Sequence, residues 1–250
     1  MNLNQIADFQ PMIRKMHLQL GDQLGLAIVR GDFKEGELLP SEAKLCETLG
    51  VSRTSMREAI RGLVAKGMLE SKSKVGTRVR NAENWNHLDV DVLRWQLAVV
   101  DTETYLRKIF QLRYATEPAA AAIAAQYAGP EDHARIIEAF EAMQTADKDL
   151  GQWVEADLRF HRAIYLATHN EFFWPIAQLF SIALKEMFKM TASGTHRSRA
   201  VAEHKALMDA IVAGKPELAR ELSLRMVSNA TDDVISVRRS AAPELQREPT

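Results

Sequence analysis

The sequence predicts a mainly α protein in two parts: three helices with a small β-hairpin, then an all-α antiparallel bundle of six or seven helices. Three observations carry this. Apolar residues recur at helical spacing along most of the 250-residue chain. One pair of short strand-like stretches, 68–71 and 77–80, flanks a basic turn. The charge is also divided. The net charge is −1, yet residues 1–80 hold 13 Lys/Arg against 9 Asp/Glu, and residues 81–250 hold 19 against 24. Residues 41–80 alone carry 9 against 4. A basic module beside an acidic one points to a polyanion as partner of the first part only. An imbalance this small also arises by chance, so the motifs must decide.

Residues 1–13 are polar and aperiodic and are expected to form a flexible tail. From 14 to 30, Leu20, Leu24, Ala27 and Ile28 share one helical face, and Gly31 ends the helix. Gly36 and Pro40 mark a loop. Ser41 is a plausible N-cap with Glu42 in the first turn, and that helix runs to Leu49 before Gly50. Ser52 is a second N-cap. Its helix turns Met56, Ala59, Ile60, Leu63 and Val64 to one side and Arg53, Thr54, Arg57 and Arg61 to the other. Gly67 suits its C′ position. Residues 14–80 thus form one module. The stretch 81–95 reads as a linker. Residues 96–238 read as helices broken at Gly129-Pro130, Gly151, Asn170, Gly194 and Gly214-Lys215-Pro216, with a kink at Pro118. Residues 239–250 are expected to be disordered.

Composition excludes several classes. Cys46 is the only cysteine, so an internal disulfide or a cysteine-based zinc site is ruled out. No apolar run reaches the ~18 residues of a membrane span, and no export signal is visible at residue 1. A cytoplasmic protein without a membrane partner is the expectation.

Two helices joined by the short turn Gly50-Val51 make a helix-turn-helix, and the hairpin makes it winged. The second helix opens with Ser52, Arg53, Thr54, Ser55 and Arg57, where free amides and the helix dipole favour phosphate. An arginine there can fork onto guanine in the major groove. A solvated charged helix is the bland alternative, but the buried face, the turn and the basic hairpin agree. The residues Leu39-Pro40-Ser41-Glu42, Leu45 and Leu49-Gly50-Val51-Ser52-Arg53-Thr54-Ser55-Met56-Arg57-Glu58-Ala59-Ile60-Arg61-Gly62-Leu63 closely resemble the GntR family signature. The resemblance implies a homodimer on double-stranded operator DNA. It assigns DNA contacts to Ser52, Arg53, Thr54, Ser55 and Arg57, and the wing to Lys74, Gly76 and Thr77. It departs at Ala43, where many members carry a DNA-reading arginine, which leaves the operator sequence open.

In the second part, Asp157 and His161 lie one helical turn apart, and His204 falls on another helix. One carboxylate and two imidazoles can hold a divalent metal ion such as zinc or nickel; an Asp-x-x-x-His pair is also an ordinary helix pair. The stretches around Arg113, Asp157 to His161 and Glu203 to Ile211 are similar to the FCD ligand-binding domain of the FadR subfamily. That resemblance implies a metal at Asp157, His161 and His204 that helps hold a carboxylate effector. Met226 stands where the family has a fourth ligand, a histidine. Asn229, one turn on, could substitute, as could water or effector. Arg113 matches a position facing the effector, with a salt bridge to Glu117 as its alternative role. His196 and Arg197 could close the pocket. Trp153 and Trp174 are expected in the core. The run from Trp85 to Trp95 resembles regulators of sugar-acid operons, which implies galactonate or a related hexonate as effector.

The expectation is therefore a repressor, not an enzyme, with no catalytic residues, released from its operator by a sugar acid. A metal-dependent hydrolase using the same Asp/His cluster is the first rival. An activator, or a regulator with another organic-acid or acyl effector, is the second.

Overall fold

The computed structural model describes residues 10–146, 149–190 and 197–241. The chain divides into two compact units, one up to Asp101 and one from Thr102.

The first unit starts with α1 (Gln10–Arg30), which is already helical over residues 10–13 of the expected tail; residues 1–9 lie outside the described part. Then come α2 (Glu42–Leu49) and α3 (Arg53–Ala65). Their starts are set by serine caps. Ser41 Oγ accepts from Lys44 N at 3.3 Å, and Ser52 Oγ from Ser55 N at 3.1 Å. Gly50 stops α2 with φ 65°, a conformation open to glycine at little cost. β1 (Leu69–Lys72) pairs antiparallel with β2 (Gly76–Val79), Leu69 facing Val79. Leu20, Leu24, Ile28, Met56, Ile60, Leu63, Met68 and Val79 form the core.

The stretch 81–95, expected as a linker, is instead part of this unit. It holds a 3-10 turn (Ala82–Asn84) and the start of α4 (Val90–Val99). Val92 and Trp95 are buried in the same core, and Trp85 packs against it. Polar contacts fasten it. Trp85 Nε1 donates to Arg80 O, and Trp95 Nε1 to Asp22 Oδ1. Lys66, the C-cap of α3, reaches Asp89 at 2.7 Å and Asp91 at 2.8 Å. The sequence concealed this because three spaced apolar side chains, not a periodic stripe, do the packing.

The second unit contains six helices among the described residues: α5 (Thr102–Tyr127), α6 (Pro130–Thr145), α7 (Leu150–Leu166), α8 (Trp174–Met190), α9 (Arg197–Val212) and α10 (Pro216–Ala241). α10 lies against α5 and α9, and α7 against α6, α8 and α5. The last helix covers residues 239–241 of the expected tail; residues 242–250 lie outside the described part. Pro118 sits inside α5 and has no N–H for the preceding turn. Trp153 is buried, but Trp174 at the head of α8 is 44% exposed, against expectation. Position N1 of an amphipathic helix lies before its buried stripe is established.

Two glycines of α1 separate backbone propensity from packing. At Gly21 a Cβ would meet nothing within 4 Å; at Gly25 it would meet the Trp95 ring at 2.4 Å. Gly21→Ala should therefore stabilise the protein by about 0.5–1 kcal/mol. Gly25→Ala should destabilise it by about 1–3 kcal/mol, because overpacking outweighs the helix gain. Urea denaturation of the two variants checks the opposite signs.

Candidate nucleic-acid interface and metal centre

The N-terminal turn of α3 carries the predicted contact residues, and the structure divides them. Ser52, Arg53, Thr54 and Arg57 are exposed. Ser55 is 5% exposed, and its hydroxyl accepts from Ser52 Oγ at 3.0 Å. In this conformation Ser55 completes the cap made by Ser52, its N–H donating to Ser52 Oγ. Thr77 is likewise buried, and its hydroxyl donates across the hairpin to Ser71 Oγ. Inward-facing positions of a half-buried strand alternate with outward ones, and Thr77 falls on the inner side. Lys74 and Gly76 are exposed in the wing, both at positive φ. Arg57 Nε lies 3.3 Å from Glu42 Oε2 on an exposed face. Such a pair contributes ~0–1 kcal/mol, less than the ~1–3 kcal/mol of a bidentate base contact, so Glu42 does not withhold Arg57 from DNA.

In the helical unit the sequence-predicted residues converge. Asp157 and His161 on α7 and His204 on α9 are all buried, with one ligand atom from each lying within 4.8 Å of the others. His204 Nε2 stands 3.0 Å from Asp157 Oδ1, and His161 Nε2 stands 3.9 Å from the same oxygen. His204 Nδ1 is turned to the Ala200 carbonyl at 2.6 Å, which leaves Nε2 facing the cluster. That Nε2 makes no hydrogen bond, although it is buried and Asp157 is close. An imidazole nitrogen and a carboxylate oxygen converging with a second imidazole in a buried site are a donor set that suits a divalent cation.

Burial alone would raise Asp157, but the close His204 contact and the charges of both histidines and Arg113 hold it below the usual carboxylate value. Burial lowers His161, and the His204 and Arg113 charges add to that against the pull of Glu117 and Asp157, so it favours the neutral, ligating form. Burial would also lower His204; Asp157 outweighs it and raises the group.

Arg113 is buried on α5. Its Nε donates to Glu117 Oε1 at 2.5 Å and its terminal nitrogen to Oε2 at 3.3 Å. Glu117 Oε2 is also 3.5 Å from His161 Nδ1. Glu117 thus joins the arginine to the histidine, a role the sequence suggested only as Arg113's partner at i,i+4. Asn229, offered as a substitute ligand, donates its amide nitrogen to Glu203 Oε1 at 2.5 Å. Met226 is buried on α10. Arg197 opens α9 with its guanidinium 6.0 Å from the Trp153 ring; His196 lies outside the described residues.

A basic, exposed α3 face and a buried Asp/His cluster define a DNA-binding transcriptional regulator with a helical ligand domain. Comparison with known proteins identifies the family. Residues 13–79 match the gntR family of bacterial regulatory proteins, and residues 108–229 match the FCD domain. The chain belongs to the gntR family and carries an FCD domain. It is 36% identical to the galactonate operon transcriptional repressor of Escherichia coli over 83% of this chain and 92% of that protein. It is 32% identical to the putative L-lactate dehydrogenase operon regulatory protein of the same species, over 86% and 84%. A solved structure of Lar, described as controlling the Listeria monocytogenes agr system, shares the fold with a TM-score of 0.61 at 21% identity, covering 92% of this chain and 98% of that one. The family and these relatives are transcriptional regulators, not enzymes, so the hydrolase rival falls.

Arg53→Ala and Arg57→Ala should each weaken operator binding by about 1–3 kcal/mol if the arginine forks onto a base. Ser55→Ala should lower thermal stability while leaving the salt dependence of binding unchanged. Fluorescence anisotropy at several salt concentrations distinguishes the two classes.

Proposed function

We propose that the protein represses sugar-acid catabolism genes and leaves its operator when a hexonate such as galactonate binds the helical unit. The observation that carries this is the buried, converging cluster of Asp157, His161 and His204. The 36% likeness to a galactonate operon repressor supports the choice of acid. The protein acts as a homodimer in the cytoplasm, two α3 helices entering successive major grooves of a two-fold-symmetric site. No helix among the described residues is long and apolar enough to cross a membrane.

Asp157, His161 and His204 would hold a divalent cation, with zinc the best match to a carboxylate and two imidazoles. When bound, it supplies Lewis-acid attraction for a carboxylate oxygen. The chain's residues do the rest. Arg113 offers guanidinium donors to the acid, with Glu117 fixing its orientation. Burial keeps these groups out of water and strengthens each interaction. Effector binding shifts the balance between DNA-competent and released arrangements; roughly 1–3 kcal/mol of coupling is typical. The likeness to an L-lactate operon regulator favours a second reading in which the effector is a smaller hydroxy acid.

Gel-shift titration on the chain's own promoter should show release by galactonate; retention in every sugar acid tried removes the inducer. The double variant Asp157→Ala/His161→Ala should lose its metal in elemental analysis of the purified protein. Undiminished metal would place the ion elsewhere.

A further inference from the structure

Among the described residues, the formal charges of the buried cluster can be counted. Arg113 contributes one positive charge, and Glu117 and Asp157 one negative charge each. The histidines are neutral when they ligate a metal. Among the described residues, Glu203 is a further carboxylate near His204; it accepts from the Asn229 amide and shares the exposed Arg199 with Asp233, and it stands outside the count. Tyr165, whose hydroxyl is 2.8 Å from Thr116 Oγ1, adds no charge, since burial pushes its pKa up. A divalent cation at Asp157, His161 and His204 therefore leaves the site one positive charge in excess.

We propose that Glu117 sets the effector's charge at one, making the site selective for monocarboxylates over dicarboxylates of the same skeleton. This rests on the carboxylate reading above and deepens it. Glu117 is suited to the part. It is 3% exposed, it is chelated by Arg113, and its second oxygen faces His161. Its position just before Pro118 in the interior of α5 keeps it on the same turn as its partner. A monoanion on a site of charge plus one leaves a neutral interior. A dianion leaves one uncompensated negative charge, which an apolar bundle tolerates poorly. With Glu117 neutralised, the excess becomes two and the dianion is the matched guest. Glu117 thus acts as a specificity-determining residue through charge, while Arg113 makes the contact.

The test uses the full chain loaded with zinc and two matched acid pairs: galactonate with galactarate, and lactate with tartronate. In each pair the second member replaces one terminal carbon group with a second carboxylate. Calorimetry of the wild type should show at least about tenfold tighter binding of the monoanion in whichever pair binds. Glu117→Gln should cut that ratio by about tenfold or invert it. The double variant Arg113→Met/Glu117→Gln removes one charge of each sign; it should bind both acids more weakly yet keep the wild-type preference. This second variant also covers the case in which Glu117→Gln, with its arginine unpaired, fails to fold. Equal binding of both members by the wild type overturns the proposal. So does an unchanged ratio in Glu117→Gln, or a lost preference in the double variant. Metal retained without binding of any of the four acids would overturn the carboxylate reading itself, and this proposal with it.

Discussion

The helical unit depends on mutual compensation among ionisable groups that an apolar bundle could not hold singly. Arg113, Glu117, Asp157, His161 and His204 are all buried among helices whose other inward residues include Phe160, Tyr165, Leu207 and Ile211. Each is tolerable only because another stands beside it. The arginine needs Glu117, Glu117 also meets His161, and Asp157 is held charged by the two imidazoles and the guanidinium. Removing one partner of such a set costs several kcal/mol, because the remaining charge stays buried. Stability and recognition therefore draw on the same residues.

The reading head meets a different constraint. Its three helices and hairpin are small, and a small unit buries too little apolar surface to be firmly held. The residues after the hairpin enlarge it. Trp95 lies against the bare backbone of Gly25, and Lys66 ties the end of α3 to Asp89 and Asp91. The recognition helix is anchored at its far end by these contacts, which leaves its N-terminal turn to present Arg53 and Arg57.

How much of this was legible follows from the range of each interaction. Local ones were visible: the caps at Ser41 and Ser52 and the αL stop at Gly50 depend on residues within four positions, and the hairpin pairs strands joined by a short turn. The Asp157–His161 turn was visible for the same reason; His204 was read beside them as a second imidazole on another helix, and family resemblance joined the three into one ligand set. What failed was a matter of facing and of distant pairing. Ser55 and Thr77 read as surface hydroxyls in a polar run, yet each turns inward. Nothing in 81–95 announces that Trp95 seeks Asp22, 73 residues away. Glu117's link to His161 likewise exists only once α5 and α7 lie together.

The packing of α4 on the N-terminal core redraws where one part of the molecule can be separated from the other. A fusion that grafted this head onto a foreign sensor with a cut at residue 80 would strip away two indoles and expose the side of α1 that Trp95 shelters. The portable cassette runs through residue 101, and hybrid regulators joined there inherit the head with its own interior complete.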